Sequence, residues 1–563
     1  MTSMASRRKV WGIKSGSGWG LRGFAAGAGA WTNVKTCFIA GWLTVSFVAV
    51  GLQPAPAAGP AANPYALATP PQPLNRIDEL VFARLTELGI PPANPSTDPV
   101  FLRRAYLDVI GTLPTMEEAR EFLLDRNPGK RGELIDRLLE RNEFTDYRAM
   151  KWCEVLRVKA EFPINLWPNA VQAYHRWIRT GLRDNVPYDR LARELLTANG
   201  SNFRVPPVNF FRALQGQEPE ALAAAVALTF MGERFDEWPD ERRAGMAAFF
   251  ANVGFKSTAE WKEEIVYFDP GATNANLLAG AREATFPDGA HVWLCADKDP
   301  REVFADWLIR SDNPWFARVV ANRIWAWLLG RGIVHEPDDF RPDNPSSNPA
   351  LLDFLAAELV RSHYDLKSLY RLILNSQTYQ LASVPASDDP RGEANFAAYP
   401  LRRLEAEVLI DALCQVSGTT EKYESPIPEP FTFIPEGTRA IALADGSITS
   451  PFLELFGRPP RDTGLMSERN NEPTTAQRLH LLNSSHVQRK LEQSPRLRAL
   501  VNFRGTPQQV VTRVYLTLLS RFPTQAELQA VQDYLRNGPR QRGAAATDVI
   551  WALINSAEFL YRH

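Results

Sequence analysis

Helix-capping signals recur along this chain and constrain its fold class more than any other feature. A Ser or Thr followed three residues later by Glu forms a capping box, in which the two side chains accept hydrogen bonds from backbone N–H groups at the start of a helix. Thr115 with Glu118 has this form, and so does Thr524 with Glu527. Apolar residues also recur at helical spacing, as in the run Phe316, Val320, Ile324 and Trp327. The chain is therefore predicted to be mainly α-helical.

Strand-like alternation is confined to three short segments. They are Glu264–Phe268, His291–Leu294 and Thr438–Leu443, each beside turn-forming Gly, Pro or Asn residues. Segments so short and so few predict small β-hairpin insertions in a helical fold.

The two ends of the chain repeat one pattern. The segment Arg104–Leu107 matches Arg513–Leu516, and each precedes a Pro-Thr helix start, a basic loop and a second helix. That second helix ends near Glu143 in the first copy and near Glu558 in the last. We interpret the echo as one helix-turn-helix packing module used at both ends.

The N-terminal region has the three parts of a secretory signal. Basic residues without acidic ones precede Cys37, an apolar run extends from Cys37 to Leu52, and a small-residue site follows at Ala55-Pro56-Ala57. The run is about 16 residues, shorter than the roughly 20 of a spanning helix, which favours cleavage over an uncleaved anchor. Residues 1–57 are predicted to be a signal peptide or anchor, which places the protein in the periplasm or cell envelope. The membrane would be a partner only through an uncleaved segment.

Two helical domains are predicted after this signal. Residues 58–74 are predicted to be a Pro/Ala linker and residues 75–264 the first helical domain. An irregular connector with β structure covers 265–298, and the second helical domain covers 299–563.

Composition excludes some classes of function. The formal net charge is −1, so there is no basic excess to neutralise a phosphate backbone, and no nucleic-acid partner is predicted. Beyond Cys37, the widely separated Cys153, Cys295 and Cys414 leave a disulfide with a free thiol, or three isolated thiols, both open. The seven histidines show no metal-binding spacing, so no metal site is predicted. Fifteen tryptophans favour a large helical core over an interface or a sugar platform.

The densest polar cluster lies between two strong helices and contains His335, Asp338 and Asp339. Paired carboxylates can supply an acid and a base or bind Ca²⁺, so these three residues are the candidate catalytic residues. The competing and favoured interpretation is helix capping and salt bridging, because Asp and Asn are common where chains turn.

A second cluster is a candidate ligand-binding site. Its members are Arg458, Arg461, Glu468, Arg469 and Glu472. Converging guanidinium groups can bind a carboxylate or sulfate bidentately, whereas an internal ion network is the favoured alternative.

A third charged cluster, which contains Glu405, Glu407 and Asp411, is predicted to be an exposed helix face without a function.

The order of several motifs resembles a known family. The first domain carries Leu113-Pro114-Thr115, the run Leu134–Leu139 and Pro187-Tyr188-Asp189-Arg190. The second carries Asn322-Arg323-Ile324-Trp325, Gly330-Arg331-Gly332, Asp338-Asp339-Phe340-Arg341 and Leu481-Leu482-Asn483-Ser484. From about residue 75 to 563 the chain resembles the secreted two-domain family of planctomycetes and verrucomicrobia, in which domain of unknown function 1549, also called a planctomycete cytochrome-c-type domain, precedes domain of unknown function 1553. The resemblance implies a class and no established activity.

One departure from that family bears on function. Many members carry Cys-x-x-Cys-His after an apolar helix and a Gly, a motif that attaches haem. Here Leu222–Phe230 and Gly232 match the family, but Glu233–Trp238 contains neither Cys nor His. A family Cys-x-Cys is also absent, with Leu465 and Ser467 in its place. The sequence therefore predicts no haem and no other cofactor.

These observations lead to three hypotheses of function. The leading one is a non-catalytic, exported binding or assembly protein, with an unknown protein or a cell-surface glycan as its partner. The alternative is an extracytoplasmic enzyme that acts on polysaccharide through Asp338 and Asp339. An electron-transfer protein is the third, disfavoured by the missing haem ligands.

Overall fold

The computed structural model describes residues 63–271, 281–295, 298–537 and 542–563. The predicted signal segment 1–57 lies outside these residues, as does 58–62 of the predicted linker. Residues 63–74 of that linker are anchored, because Tyr65 O and Leu67 N bond the backbone of residues 95–97. The described chain is mainly α-helical with short antiparallel strands, which confirms the predicted fold class.

The helices of the predicted first domain follow one another closely. They are α1 Arg76–Leu88, α2 Asp98–Ala105, α3 Met116–Leu124, α4 Lys130–Leu139, α5 Asn142–Val155, α6 Pro168–Arg183, α7 Tyr188–Thr197, α8 Asn209–Arg212, α9 Pro219–Val226 and α10 Asp240–Ala247. Two of them, α2 and α9, continue into π-helical turns at Tyr106–Ile110 and Ala227–Met231. Each turn ends at a left-handed glycine.

The predicted second domain is also helical. Its helices are α11 Pro300–Leu308, α12 Phe316–Leu329, α13 Pro349–Arg361, α14 Leu366–Leu374, α15 Gln377–Gln380, α16 Arg391–Ala394, α17 Ala406–Ser417, α18 Pro451–Leu455, α19 Thr475–Asn483, α20 Ser485–Glu492, α21 Pro495–Val501, α22 Pro507–Leu519, α23 Gln525–Asn537, α24 Arg542–Ile554 and α25 Ala557–Leu560. No described helix combines the length and the apolar character needed to span a bilayer.

Strands form three small antiparallel sheets. They are β1 Gly200–Ser201, β2 Val253–Ser257, β3 Glu264–Phe268, β4 Ala281–Thr285, β5 His291–Cys295, β6 Arg402–Arg403 and β7 Tyr561–Arg562. The sheet orders are β1-β3-β2, β4-β5 and β6-β7. Two predicted strands are thus confirmed as β3 and β5.

The third predicted strand, Thr438–Leu443, is wrong. Its centre is a turn of 3₁₀ helix, Ala440–Ala442. The Asp411 carboxylate accepts hydrogen bonds from the backbone N–H groups of Ala440 at 2.7 Å and Ile441 at 3.1 Å. This long-range cap favours the turn over an extended strand.

The predicted echo is visible as two equivalent ion clusters. Both predicted capping boxes begin helices, α3 and α23, and the Glu of each also binds an arginine: Glu118 binds Arg141 at 2.8 Å and Glu527 binds Arg521 at 2.7 Å. Each guanidinium bridges to a second carboxylate in its module, Glu143 or Glu558. The two ends of the chain therefore share an arginine held between two carboxylates, although Arg141 follows α4 and Arg521 precedes α23.

The two predicted helical domains share their core. Residues Ala62–His563 group into one compact unit. The larger apolar cluster joins Phe101 and Trp152 to Trp325 and Leu355, which come from opposite sides of the predicted connector. A second, smaller cluster likewise joins Leu107 and Tyr147 to Leu409 and Val514, so burial of apolar surface stabilises the two halves together.

Buried charges cross the same boundary. Asp108, fully buried in the π-helical turn after α2, lies 3.1 Å from the Arg402 guanidinium and 3.2 Å from that of Arg562. Its other oxygen accepts hydrogen bonds from the hydroxyls of Tyr379 at 3.0 Å and Tyr399 at 2.6 Å. Four partners from the second half of the chain therefore compensate one carboxylate from the first.

Glu405 is a second buried carboxylate in this interface. It accepts hydrogen bonds from Lys151 at 2.7 Å and from the Tyr147 hydroxyl at 2.8 Å, and Arg562 lies 3.6 Å away. Burial acts to raise the pKa of Glu405, but the neighbouring Lys151 and Arg562 charges hold it well below its usual value. The carboxylate is thus charged and tied between both halves.

Candidate binding surface

The predicted acidic site is occupied by internal contacts. Asp338 is buried, and its Oδ1 accepts hydrogen bonds from Arg323 Nε at 3.1 Å and Nη2 at 2.8 Å. Its Oδ2 accepts one from the backbone N–H of Met466 at 2.6 Å. Since a general acid or base must exchange a proton with substrate, a carboxylate committed on both oxygens is poorly placed for that role.

Asp339 and His335 make contacts of their own and do not share the partners of Asp338. Asp339 lies in an ion pair with Arg341, whose Nε is 2.6 Å from Oδ1. Asn344 closes the loop by donating to the carbonyls of His335 at 2.6 Å and Asp339 at 2.7 Å. His335 is exposed, and partial burial together with the nearby Arg331 charge lowers its pKa. This arrangement matches capping and salt bridging, the interpretation that the sequence favoured.

The predicted arginine cluster is largely an internal ion network. Arg469 Nη2 lies 2.5 Å from Glu154 on α5, and Nη1 lies 2.7 Å from Glu407 on α17. Arg458 also approaches Glu407, at 3.5 Å. Burial opposes ionisation of Glu407, yet the Arg469 charge holds its pKa at about 2. This network joins the two halves rather than presenting cations to a ligand.

The other members of the cluster are bound to backbone or exposed. Arg461 is buried and donates to the carbonyls of Ala444 and Leu443. Glu468 accepts hydrogen bonds from the backbone N–H groups of Asp462 at 3.0 Å and Thr463 at 2.6 Å. Glu472 is exposed, and its backbone N–H donates to Asn470 Oδ1 at 2.9 Å. The five predicted ligand-binding residues therefore do not form one open clamp.

The predicted exposed helix face is also wrong. Glu405, Glu407 and Asp411 are all buried, because α17 packs its acidic residues against arginines and backbone N–H groups from distant segments. Burial raises the pKa of Asp411 to about 6.

The three cysteines are free thiols in the described structure. Cys153 is buried in the core, where burial raises its pKa to about 12, and Cys295 is exposed at the end of β5. Cys414 lies 3.4 Å from Lys490 Nζ. Over the described ranges, no group of three or more His, Cys, Asp or Glu side chains is arranged to hold a metal ion.

A cluster of exposed aromatic rings is the most unusual surface feature. We define the aromatic surface as Trp167, Trp261 and Phe431. Two of its rings are largely exposed, Trp261 at 69% and Phe431 at 56%, and so are Phe162 and Phe433, which are close to it in sequence. Exposed apolar side chains grouped in this way mark interaction sites more often than isolated ones do.

Trp167 is the centre of the aromatic surface. Its ring centroid lies 6.5 Å from that of Trp261, with the two rings at 85°. Phe431 packs on it from another segment, at 5.4 Å and 57°. The rings therefore enclose an angular notch instead of a continuous flat face.

The backbone around this notch is strained and firmly held. Asn165, Trp167 and Lys262 have positive φ values of 60°, 72° and 62°. Non-glycine residues pay free energy for this conformation, and such strain tends to accumulate at functional sites. Lys262 Nζ donates to Asn165 Oδ1 at 3.3 Å, and the backbone N–H of Glu161 donates to Ser447 Oγ at 2.9 Å. The aromatic rings are consequently presented on a fixed frame.

The sequence did not predict this surface, because the tryptophans of the chain were interpreted mainly as core residues. One signal was available: Trp261 is flanked by Glu260, Lys262 and Glu263, a polar setting in which a buried ring is unexpected. The convergence of Trp167 and Phe431 on it depends on tertiary contacts between segments distant in sequence.

Comparisons with known proteins classify the chain without naming an activity. A model described as PSCyt2, protein of unknown function (DUF1549), matches residues 76–254, and one described as PSD1, protein of unknown function (DUF1553), matches residues 300–535. No curated protein matches. No solved structure matches either.

Proposed function

This chain belongs to the two-domain family in which domain of unknown function 1549 precedes domain of unknown function 1553, and we propose that it is an exported, non-catalytic binding protein. Its aromatic surface would dock a partner protein in the cell envelope. The observation that carries this proposal is the exposed notch around Trp167, presented on a strained and hydrogen-bonded frame.

The composition and geometry of the notch favour a protein over a glycan. One of its three rings, Phe431, brings no hydrogen-bonding group for sugar hydroxyls. A sugar ring stacks best on a flat aromatic face, whereas Trp167 and Trp261 lie at 85°. An apolar side chain of a partner protein would pack against the exposed edges and faces of these rings, and Trp side chains are frequent binding hot spots.

The state of the acidic loop supports the absence of catalysis. Asp338 is buried in an ion pair with Arg323, and Asp339 is paired with Arg341. The missing haem-attachment residues at Glu233–Trp238 add to this argument, since that segment supplies neither thiol nor imidazole. An Asp339→Ala variant that lost turnover of a polysaccharide would instead establish the enzyme alternative.

Site-specific photo-crosslinking in the native host tests the docking surface. A photoreactive residue replaces Trp261 in one strain and Trp293, which is 66% exposed on β5, in a matched control strain. We expect one defined protein adduct from position 261 that is absent from position 293. Equal adduct patterns at both positions, or a glycan adduct at 261, would contradict the proposal.

Affinity measurements with the identified partner then give the contribution of Trp261 to the binding free energy. Truncation of a hot-spot Trp costs about 2–4 kcal/mol, so Trp261→Ala should weaken binding roughly 30-fold or more, whereas Trp293→Ala should leave it unchanged.

A further inference from the structure

A cavity of about 410 Å³ lies between α9 and the segment Asp462–Leu465. Its volume falls within the range of roughly 300–1,000 Å³ typical of small-molecule sites. The apolar part of its wall comprises Ala213, Ala221, Ala224, Leu228, Phe235 and Leu465. No residue of the aromatic surface lines it, so the two sites are distinct.

Arg157 is the principal charged group in this wall. It is 4% exposed, with its Nε donating to the carbonyl of Ala213 at 3.1 Å and its Nη1 to that of Thr463 at 3.4 Å. Its Nη2 is buried and has no hydrogen-bond partner among the described residues. The backbone at Arg157 has φ 56°, so the side chain is held in place at a conformational cost.

Two of the three carboxylates that border the cavity are committed elsewhere, and the third, Asp236, is exposed. Asp462 is 2.5 Å from Lys159, and Glu233 is 3.0 Å from Arg242. Burial lowers the pKa of Arg157 to about 10, which leaves it protonated at neutral pH. The charge of Glu468 acts on Arg157, but no carboxylate of the described residues forms an ion pair with it. A buried guanidinium in this state is costly, and an anion would offset that cost.

A second arginine presents an unused hydrogen-bond donor here. Arg234 lines the same cavity, and its Nε is buried without a partner in the described structure. Guanidinium groups beside an apolar wall favour a ligand with an anionic head and an apolar body.

We propose that this cavity binds a small carboxylate with an apolar chain, whose carboxylate pairs with the Arg157 guanidinium while its chain packs against the alanines of α9. No chemistry is performed on the ligand. The specificity comes from the charge at one end and the apolar wall at the other.

Isothermal titration calorimetry with a matched ligand series tests this site. The probes are hexanoate, hexanol and hexylamine, which share one chain and differ in the head group. We expect saturable hexanoate binding, with hexanol and hexylamine at least 10-fold weaker. Arg157→Gln should abolish this preference, and Arg190→Gln, an exposed arginine with the same charge change, should preserve it.

A second variant keeps the test valid if Arg157→Gln fails to fold. Ala224→Leu fills the cavity without touching the guanidinium and should weaken hexanoate binding at least 10-fold. The proposal is overturned if hexanoate does not saturate in the millimolar range, if hexanol binds equally well, or if Ala224→Leu binds like the parent protein.

Discussion

Replacing Asp108 by Asn should destabilise the whole protein, because this carboxylate is central to the buried charge network. The amide keeps the size of the side chain and one acceptor oxygen. The hydroxyls of Tyr379 and Tyr399 can rotate to accept from the new NH₂ group, so the main loss is the negative charge facing Arg402 and Arg562.

The magnitude follows from the burial of these groups. Removing one partner of a buried ion pair costs about 3–5 kcal/mol. Unfolding entropy is about 2.1 cal/mol/K per residue, hence about 1 kcal/mol/K for the roughly 500 residues that form one unit. Asp108→Asn should therefore lower Tm by about 3–5 °C.

Differential scanning calorimetry and circular dichroism measure this shift together. Asp312→Asn, which alters an exposed pair with Arg310, is the control and should give no resolved change. If Asp108→Asn leaves Tm within 1 °C of the parent protein, roughly the effect expected from a surface pair, the network does not stabilise the fold as reasoned here.

Three further predictions concern single residues. The pKa of Asp411 is raised to about 6, so the stability that its protonated form contributes is fully present below the unfolded pKa near 3.9 and is lost as pH rises toward 6. Between pH 4 and 7, the Tm of Asp411→Asn should therefore rise relative to that of the parent protein. Parallel plots of Tm against pH for the two proteins would refute this. Arg521→Met strands Glu527 and Glu558 of the C-terminal module and should lower Tm measurably in a thermal scan, and an unchanged Tm would mean that the ion cluster contributes nothing. Gly330→Ala places a Cβ 2.7 Å from the Arg402 side chain in a left-handed backbone, whereas at Gly289 φ is also positive but no atom lies within 4 Å of the added Cβ. In a denaturant titration, Gly330→Ala should therefore lower the free energy of unfolding more than Gly289→Ala does. Equal losses would exclude the clash.

Local chemistry made part of the fold predictable. The capping boxes at Thr115 and Thr524 are complete within four residues, so the sequence contains everything that begins those helices. The strand predicted at Thr438–Leu443 failed for the opposite reason, because the carboxylate that caps its 3₁₀ turn belongs to Asp411 on α17.

The candidate sites show the same limit. The acidic residues around Asp338 were found because they are adjacent in sequence, but their commitment depends on Arg323 and on the backbone of Met466. Trp261 stands out only mildly in sequence, and its packing with Trp167 brings together segments nearly a hundred positions apart. In both the acidic loop and the aromatic surface, the role of the residues depends on which side chains are close in space. Neither the periodicity nor the composition of the sequence contains that information.

The pairing of Asp108 with residues from the other half has a practical consequence for dissecting this protein. A fragment cut at the family boundaries, residues 76–254, would keep that carboxylate and lose all four groups that compensate it. The complementary fragment would keep Arg402 without this carboxylate and Arg562 with Glu405 alone, at 3.6 Å. Neither half should be obtainable as a well-folded soluble piece, so inheritance as two sequence modules does not imply construction from two independently stable parts.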